Sequence, residues 1–174
     1  KRRHRIIVYL DKGLVDANAG IVNDVTGYFA ARQDLTEMVC PPIIIPGGER
    51  VKNGWEGVKN VMKTIGDNHM CRQSFVITVG GGSVLDMVGF AASLVHRGLR
   101  MIRIPSTVLA QNDAGIGVKN GMNERQQKNF VGAFATPFAV INDFELLRTL
   151  EMKDWIGGIS EAFKVAVIKD ADFF

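Results

Sequence analysis

The sequence predicts an α/β fold, a mainly parallel sheet whose last regular element is a helix. Three observations carry that expectation. Short β-branched runs alternate with stretches of helical periodicity through the first hundred residues. The clearest switch falls at Gly80-Gly81-Gly82, where Ser74-Phe75-Val76-Ile77-Thr78-Val79 ends and Val84, Leu85, Val88, Ala91, Ala92 and Val95 begin to recur at helical spacing. A separate helical pattern, residues 151–169, follows a last short strand.

In chain order, Arg5-Ile6-Ile7-Val8-Tyr9-Leu10 reads as the first strand, ending at Asp11-Lys12-Gly13. Residues 14–32 fit one helix with a buried stripe of Val15, Ala19, Val22, Val25, Tyr28 and Phe29. The second strand, residues 38–45, contains Pro41-Pro42, so part of it must be an edge or bulge. A turn at residues 46–52 leads into a helix on which Val51, Trp55, Val58, Val61, Met62 and Ile65 are periodic, and which frays at Gly66-Asp67-Asn68. The central strand, the triple glycine and its helix to His96-Arg97-Gly98 follow, then a strand at residues 100–104. This order implies right-handed crossovers and a Rossmann-like sheet. Residues 106–111 suit a short helix, and residues 112–129 read as a long irregular stretch. Phe138-Ala139-Val140-Ile141 is a further strand, and residues 151–169 a helix with Trp155, Ile159, Phe163, Ala166 and Val167 inward. Residues 170–174 show no clear terminal element.

With 174 residues, 47% of them hydrophobic, the chain can bury a sizeable core. The net charge of +3 comes largely from Lys1, Arg2, Arg3 and Arg5. Those residues read as a solvated strand entrance or a nucleic-acid patch, and no aromatic interleaving accompanies them, so no nucleic-acid partner is expected. Cys40 and Cys71 lack any Cys-x-x-Cys spacing and suit reduced core thiols in a cytoplasmic protein. No apolar run approaches the roughly 18 residues of a membrane span, so no membrane partner is expected.

The glycine turn can bring backbone N–H groups and a helix N-terminus to a phosphate, or be a plain tight turn between strand and helix. Asp11, at the carboxyl edge of the sheet, can accept from nucleotide hydroxyls or cap the next helix. Asp113, Lys119, Lys128, Asn129, Glu161 and Lys164 would suit a pocket for a phosphorylated substrate, while each singly reads as a surface charge. Glu161 and Lys164, three apart, are either an intrahelical ion pair or a metal-ligating carboxylate with a lysine beside it. His4, His69 and His96 fall on separate elements, so further ligands would lie outside this chain.

From about residue 46 onward the sequence resembles the sugar phosphate cyclase superfamily, of which 3-dehydroquinate synthase is the best-known member. The resemblance rests on Gly47-Gly48-Glu49 with Lys52, Gly80-Gly81-Gly82 with Asp86, Gly89-Phe90-Ala91-Ala92 and Arg97-Gly98. Pro105-Ser106-Thr107, residues 113–119, Lys128-Asn129 with Gly132-Ala133-Phe134, and Glu161 followed by Lys164 complete it. It implies an NAD- and metal-dependent lyase, with zinc or cobalt, that turns a seven-carbon sugar phosphate into a carbocycle with loss of phosphate, as in aromatic amino acid biosynthesis.

The resemblance assigns Asp11, Glu49, Lys52, Gly80, Gly81, Gly82, Asp86, Ser106 and Thr107 to the cofactor. Asp113, Lys119, Lys128, Asn129, Lys164 and Arg97 become the substrate and catalytic set, and Glu161 a metal ligand. It implies a homodimer, an NAD-binding domain over residues 1–150, and over residues 151–174 the first helix of a metal- and substrate-binding domain. The family's two histidine ligands and its usual earlier N-terminal strands have no counterpart here, so the chain alone is expected to be inactive. Dehydroquinate synthases tend to carry Asp-Ser-Ser-Val-Gly-Gly-Lys-Thr, whereas Asp113-Ala114-Gly115-Ile116-Gly117-Val118-Lys119-Asn120 looks closer to the sedoheptulose 7-phosphate cyclases, with Asn120 matching neither group. A metal-dependent alcohol or polyol dehydrogenase and a non-catalytic nucleotide-binding domain are the alternatives.

Overall fold

The computed structural model describes residues 3–169 and 172. Its centre is β1 (His4–Asp11), β4 (Phe75–Gly80) and β5 (Arg100–Pro105), all parallel. β2 (Thr36–Met38) and β3 (Ile43–Ile45) both pair with β1, and β8 (Ala139–Val140) closes the far edge beside β5. The sheet is covered on both faces, which is why β1 and β4 are continuously apolar rather than alternating. Ile7, Tyr9 and Val76 pack beneath α3 (Glu56–Asp67) and α4 (Gly82–Leu94), while Ile6, Val8, Leu10, Ile77 and Val79 meet Leu14 and Ile21 on the other face.

The double proline acts as expected. β2 pairs with the start of β1, from His4 opposite Thr36, and β3 with its end, to Asp11 opposite Ile45. Pro41 and Pro42 carry no N–H for the ladder between the two pieces.

Four sequence expectations are corrected. Residues 14–32 form two helices, α1 (Lys12–Ala17) and α2 (Ile21–Ala30), because Asn18 leaves helical geometry before Gly20 starts the second. Tyr28 therefore faces solvent, while Val15, Val22, Val25 and Phe29 pack inward. The irregular stretch is largely regular: α5 (Val108–Asn112) precedes an antiparallel hairpin of β6 (Lys119–Glu124) and β7 (Gln127–Phe134). Its turn is Arg125-Gln126, both with positive φ, the mirror-image geometry that suits a two-residue hairpin.

The third correction concerns α6 (Met152–Lys169), which buries Gly158 and Ala166 but leaves Ile159, Phe163 and Val167 exposed and Trp155 only partly covered. Gly158 sits against α5, where a Cβ would lie 2.3 Å from that of Val108, and the Trp155 indole donates to the Leu147 carbonyl at 3.1 Å. The rest of its apolar face has no partner element among the described residues. The strand expected at residues 138–141 shrinks to Ala139–Val140. The expectation for residues 170–174 and for Lys1 and Arg2 falls mainly outside the described residues. Among the described residues no helix is long and apolar enough to cross a membrane.

Candidate functional site

The carboxyl ends of β1, β4 and β5 bring Asp11, Gly80 and Ser106 to one edge of the sheet, where α4 begins. None of the three glycines has positive φ; they are there for room. A Cβ on Gly80 would stand 2.8 Å from the Asp11 Cβ, and one on Gly47 would stand 2.4 Å from Asp11 Oδ1. Asp11 is held in this cradle by main-chain donors, with Gly13 N–H to Oδ1 at 2.8 Å and Gly81 N–H to Oδ2 at 3.1 Å. It thus caps α1 and ties the first strand to the glycine turn. α4 itself has no side-chain cap, which leaves the first donors of a 13-residue helix directed at the cleft.

That cleft is a cavity of about 460 Å³ lined by Asp11, Gly81, Gly82, Ser83, Ser106 and Thr107, and walled opposite by the start of α6. Thr107 caps α5 by accepting from Ala110 N–H at 3.1 Å. A cleft of this size with an uncapped helix N-terminus and glycine walls fits a dinucleotide phosphate group.

Glu49, Lys52 and Asp86, assigned to the same set from sequence, lie outside that lining. Lys52 is 4% exposed; its ammonium donates to Asp86 Oδ2 at 2.8 Å and to Asn129 Oδ1. Burial pushes the Asp86 carboxyl above its ordinary value, and the Lys52 contact only partly pulls it back. Asp86, Asp113, Lys119 and Asn129 line a second cavity of about 530 Å³. The wall between the cavities is thin, since a Cβ on Gly82 would be 3.2 Å from the Ala114 methyl on the far side.

Asn129 enters this cavity from β7 with φ of +54° and donates its N–H to Asn123 Oδ1 at 3.0 Å, beside a register shift in the hairpin. Such a bulge turns side chains out of the ordinary alternation. Asn123 in turn donates to Glu49 Oε1 and Asn53 Oδ1, both at 3.0 Å, and Ser83 donates to Glu49 Oε2 at 3.0 Å. Partial burial works against the charged form of Glu49. The hydrogen bonds from Asn123 and Ser83 and the charges of Lys52 and Lys128 outweigh it and hold the carboxyl below its ordinary value.

A carboxyl lowered on folding contributes stability that is present above its unfolded value and lost as pH falls through the folded one. Glu49 is solvent-exposed, so screening keeps the contribution within about 1 kcal/mol. Denaturation from pH 6 to pH 3 is expected to show a stability gap between wild type and Glu49→Gln that closes on acidification; a gap constant with pH would contradict this account.

Of the remaining sequence candidates, Glu161 and Lys164 form an ion pair on α6. Its hydrogen bond, helped by the Glu161 and Asp113 charges, outweighs desolvation and raises the Lys164 ammonium. Arg97 is not brought to this group. It lies beyond the C-terminal end of α4, roughly 20 Å along that helix from the glycine turn, and lines a different cavity with Gly89, Arg100 and Phe134. Among the described residues no three His, Cys, Asp or Glu side chains converge as a metal set.

Sequence reasoning missed Arg103, Asn120, Asn123 and Ser83. Arg103 was read as an ordinary strand residue, yet it is 1% exposed on β5 and reaches the 113–119 loop from below. Asn120, singled out only as an unusual residue of the loop, is 3% exposed and tucked against Gly89, where a Cβ would come within 2.0 Å of its Oδ1.

Comparisons with known proteins fit this geometry. The family described as 3-dehydroquinate synthase N-terminal matches residues 42–157. A 3-dehydroquinate synthase of Cereibacter sphaeroides is 39% identical over 132 residues, 76% of this chain and 35% of that protein. Among solved structures, ValA, a 2-epi-5-epi-valiolone synthase from Streptomyces hygroscopicus with NAD+ and Zn2+ bound, superposes with a TM-score of 0.84 at 30% identity, covering 97% of this chain and 45% of that one. A 2-deoxy-scyllo-inosose synthase complexed with carbaglucose-6-phosphate, NAD+ and Co2+ gives 0.79 at 27% identity, covering 95% and 44%. The chain thus spans between a third and a half of the length of each of these relatives. With two-thirds of its residues inside the matched region, the chain belongs to the 3-dehydroquinate synthase family, in the part that carries the family's N-terminal domain.

Proposed function

We propose that this chain forms the nucleotide-binding part of an NAD- and metal-dependent cyclase that converts a seven-carbon sugar phosphate to a carbocycle with elimination of phosphate. The observation that carries the reading is the wall shared by Gly82 and Ala114, which puts a dinucleotide-sized cleft and a lysine-bearing cavity back to back. Bound NAD supplies a transient hydride acceptor, and a secondary hydroxyl in the second cavity would be its partner. The glycine turn and the start of α4 hold the cofactor's phosphates, and Asp11, Ser106 and Thr107 line its cleft.

Lys119 brings positive charge toward a phosphorylated substrate from the cavity wall and Lys128 from the neighbourhood of Glu49, outside that wall; Asp113 and Asn129 bind the substrate's hydroxyls, and Lys52 and Asp86 brace Asn129 between the two cavities. Arg97, which lines a different cavity, is given no part in this site. Glu161 would supply one carboxylate to a divalent metal such as zinc or cobalt, with Lys164 beside it. The described residues do not by themselves make a metal site. We assign residues 1–150 to the NAD-binding domain and 151–174 to the first helix of a metal- and substrate-binding domain, whose remainder would cover Ile159, Phe163 and Val167. The cyclase is assigned to the cytoplasm as a homodimer.

The test is inorganic phosphate release by the full-length protein with NAD and cobalt, comparing 3-deoxy-arabino-heptulosonate 7-phosphate with sedoheptulose 7-phosphate. Release from one of them without accumulation of NADH is expected. Net NADH from a simple alcohol, with no phosphate released, would make the protein a dehydrogenase instead.

A further inference from the structure

We propose that Arg103 is the positioning residue of the second cavity, fixing the 113–119 loop to the sheet through the loop's main chain and so setting where Asp113 and Lys119 meet the substrate. The inference rests on the reading of that cavity given above. A buried guanidinium is costly unless its donors are used. Here Nη1 donates to the carbonyls of Ala114 and Gly117, each at 2.7 Å, and Nη2 to Asn120 Oδ1 at 2.6 Å, while the buried Nε has no partner among the described residues. Asn120 extends the clamp by donating to the carbonyls of Val118 at 3.2 Å and Ala135 at 3.4 Å. The loop closes on itself with Gly115 N–H to the Ala110 carbonyl at 2.6 Å and Gly117 N–H to the Asp113 carbonyl at 3.0 Å.

Every one of these loop acceptors is a main-chain oxygen. The clamp therefore fixes the loop's path without constraining which side chains it presents, leaving Ile116 and Val118 exposed. The planar fork of arginine matters, because it reaches two carbonyls from one nitrogen and an amide from the other. A lysine ammonium is a point donor that cannot span the three. Arg103 is not among the residues that line the cavity and acts through Asp113, Ala114 and Lys119, which are, while Asn120 both lines it and completes the clamp.

The experiment compares Arg103→Lys and Asn120→Ala with wild type in the full-length protein by three readouts. These are hydrogen exchange over residues 113–119, NAD affinity by fluorescence titration, and KM against kcat for the sugar phosphate that wild type turns over. Both variants are expected to exchange at least tenfold faster in the loop alone and to raise KM at least tenfold, with NAD affinity within twofold of wild type. A loop that exchanges no faster, or an NAD affinity that falls in step with the rise in KM, would overturn the proposal. If Arg103→Lys does not fold, Asn120→Ala decides, since it removes the acceptor of Nη2 and the clamp's own bonds to the Val118 and Ala135 carbonyls. If wild type turns over neither sugar phosphate, the proposed reaction fails, while loop exchange and NAD affinity still decide whether Arg103 is the clamp.

Discussion

Lys52→Met is expected to lower stability by about 3–5 kcal/mol at pH 7.5, the range for removing one partner of a buried ion pair. Methionine matches the lysine stem in volume, so the loss comes from chemistry rather than from a cavity. It strands the Asp86 carboxylate, already pushed above its ordinary value by burial, and removes the donor to Asn129 Oδ1. The sign of the pH dependence is fixed by Asp86. Without Lys52 its folded value rises further, so the penalty is greatest where the unfolded chain is ionised and shrinks as pH falls through the folded value. Chemical denaturation at pH 7.5 and pH 5 checks this, with the smaller deficit expected at pH 5. A deficit under 1 kcal/mol at both would mean that Lys52 is not the counter-ion of Asp86.

Gly158→Val is expected to release α6 from α5. The new Cβ would meet Val108 Cβ at 2.3 Å and the Leu109 main-chain nitrogen at 2.8 Å, and backbone cannot step aside as a flexible side chain can. Overpacking of this kind costs about 1–3 kcal/mol where the neighbours can adjust. Here the cheaper response is for the helix to lift, carrying the Glu161–Lys164 pair away from Asp113. Limited proteolysis should then cut between residues 150 and 158 at least tenfold faster than in wild type, while the sheet stays protected. An unchanged cleavage rate would show that α6 is anchored elsewhere.

Most of the sheet could be read from the sequence because parallel strands buried on both faces write their burial directly into unbroken apolar runs such as Ile6 to Leu10. The proline pair marked the broken edge for an equally local reason, the missing N–H. The hairpin was hidden because its turn is Arg125-Gln126 rather than a glycine or asparagine pair, and because β7 is mostly exposed and turns only Val131 and Ala133 toward the core. The outward face of α6 was misjudged since periodicity reports an apolar face, not which element covers it. Arg103 could not be found at all: a charged residue in a strand is ordinarily exposed, and its partner Asn120 lies 17 positions on, beyond any local pattern. The same holds for Lys52 and Asp86, 34 apart, each noted separately and joined only by the fold.

The split outer strand has a consequence for how this sheet behaves toward other chains. On one side the free edge is two pieces of three residues with a proline pair between them, and on the other it is the two-residue β8. A foreign strand needs a run of unpaired N–H and C=O groups to zip against, and neither margin offers one long enough. The strongly β-prone segments at the centre, β1 and β4, are shut away behind those margins. Among the described residues both margins are therefore too short to recruit a foreign strand into the edge-to-edge stacking that leads to fibres.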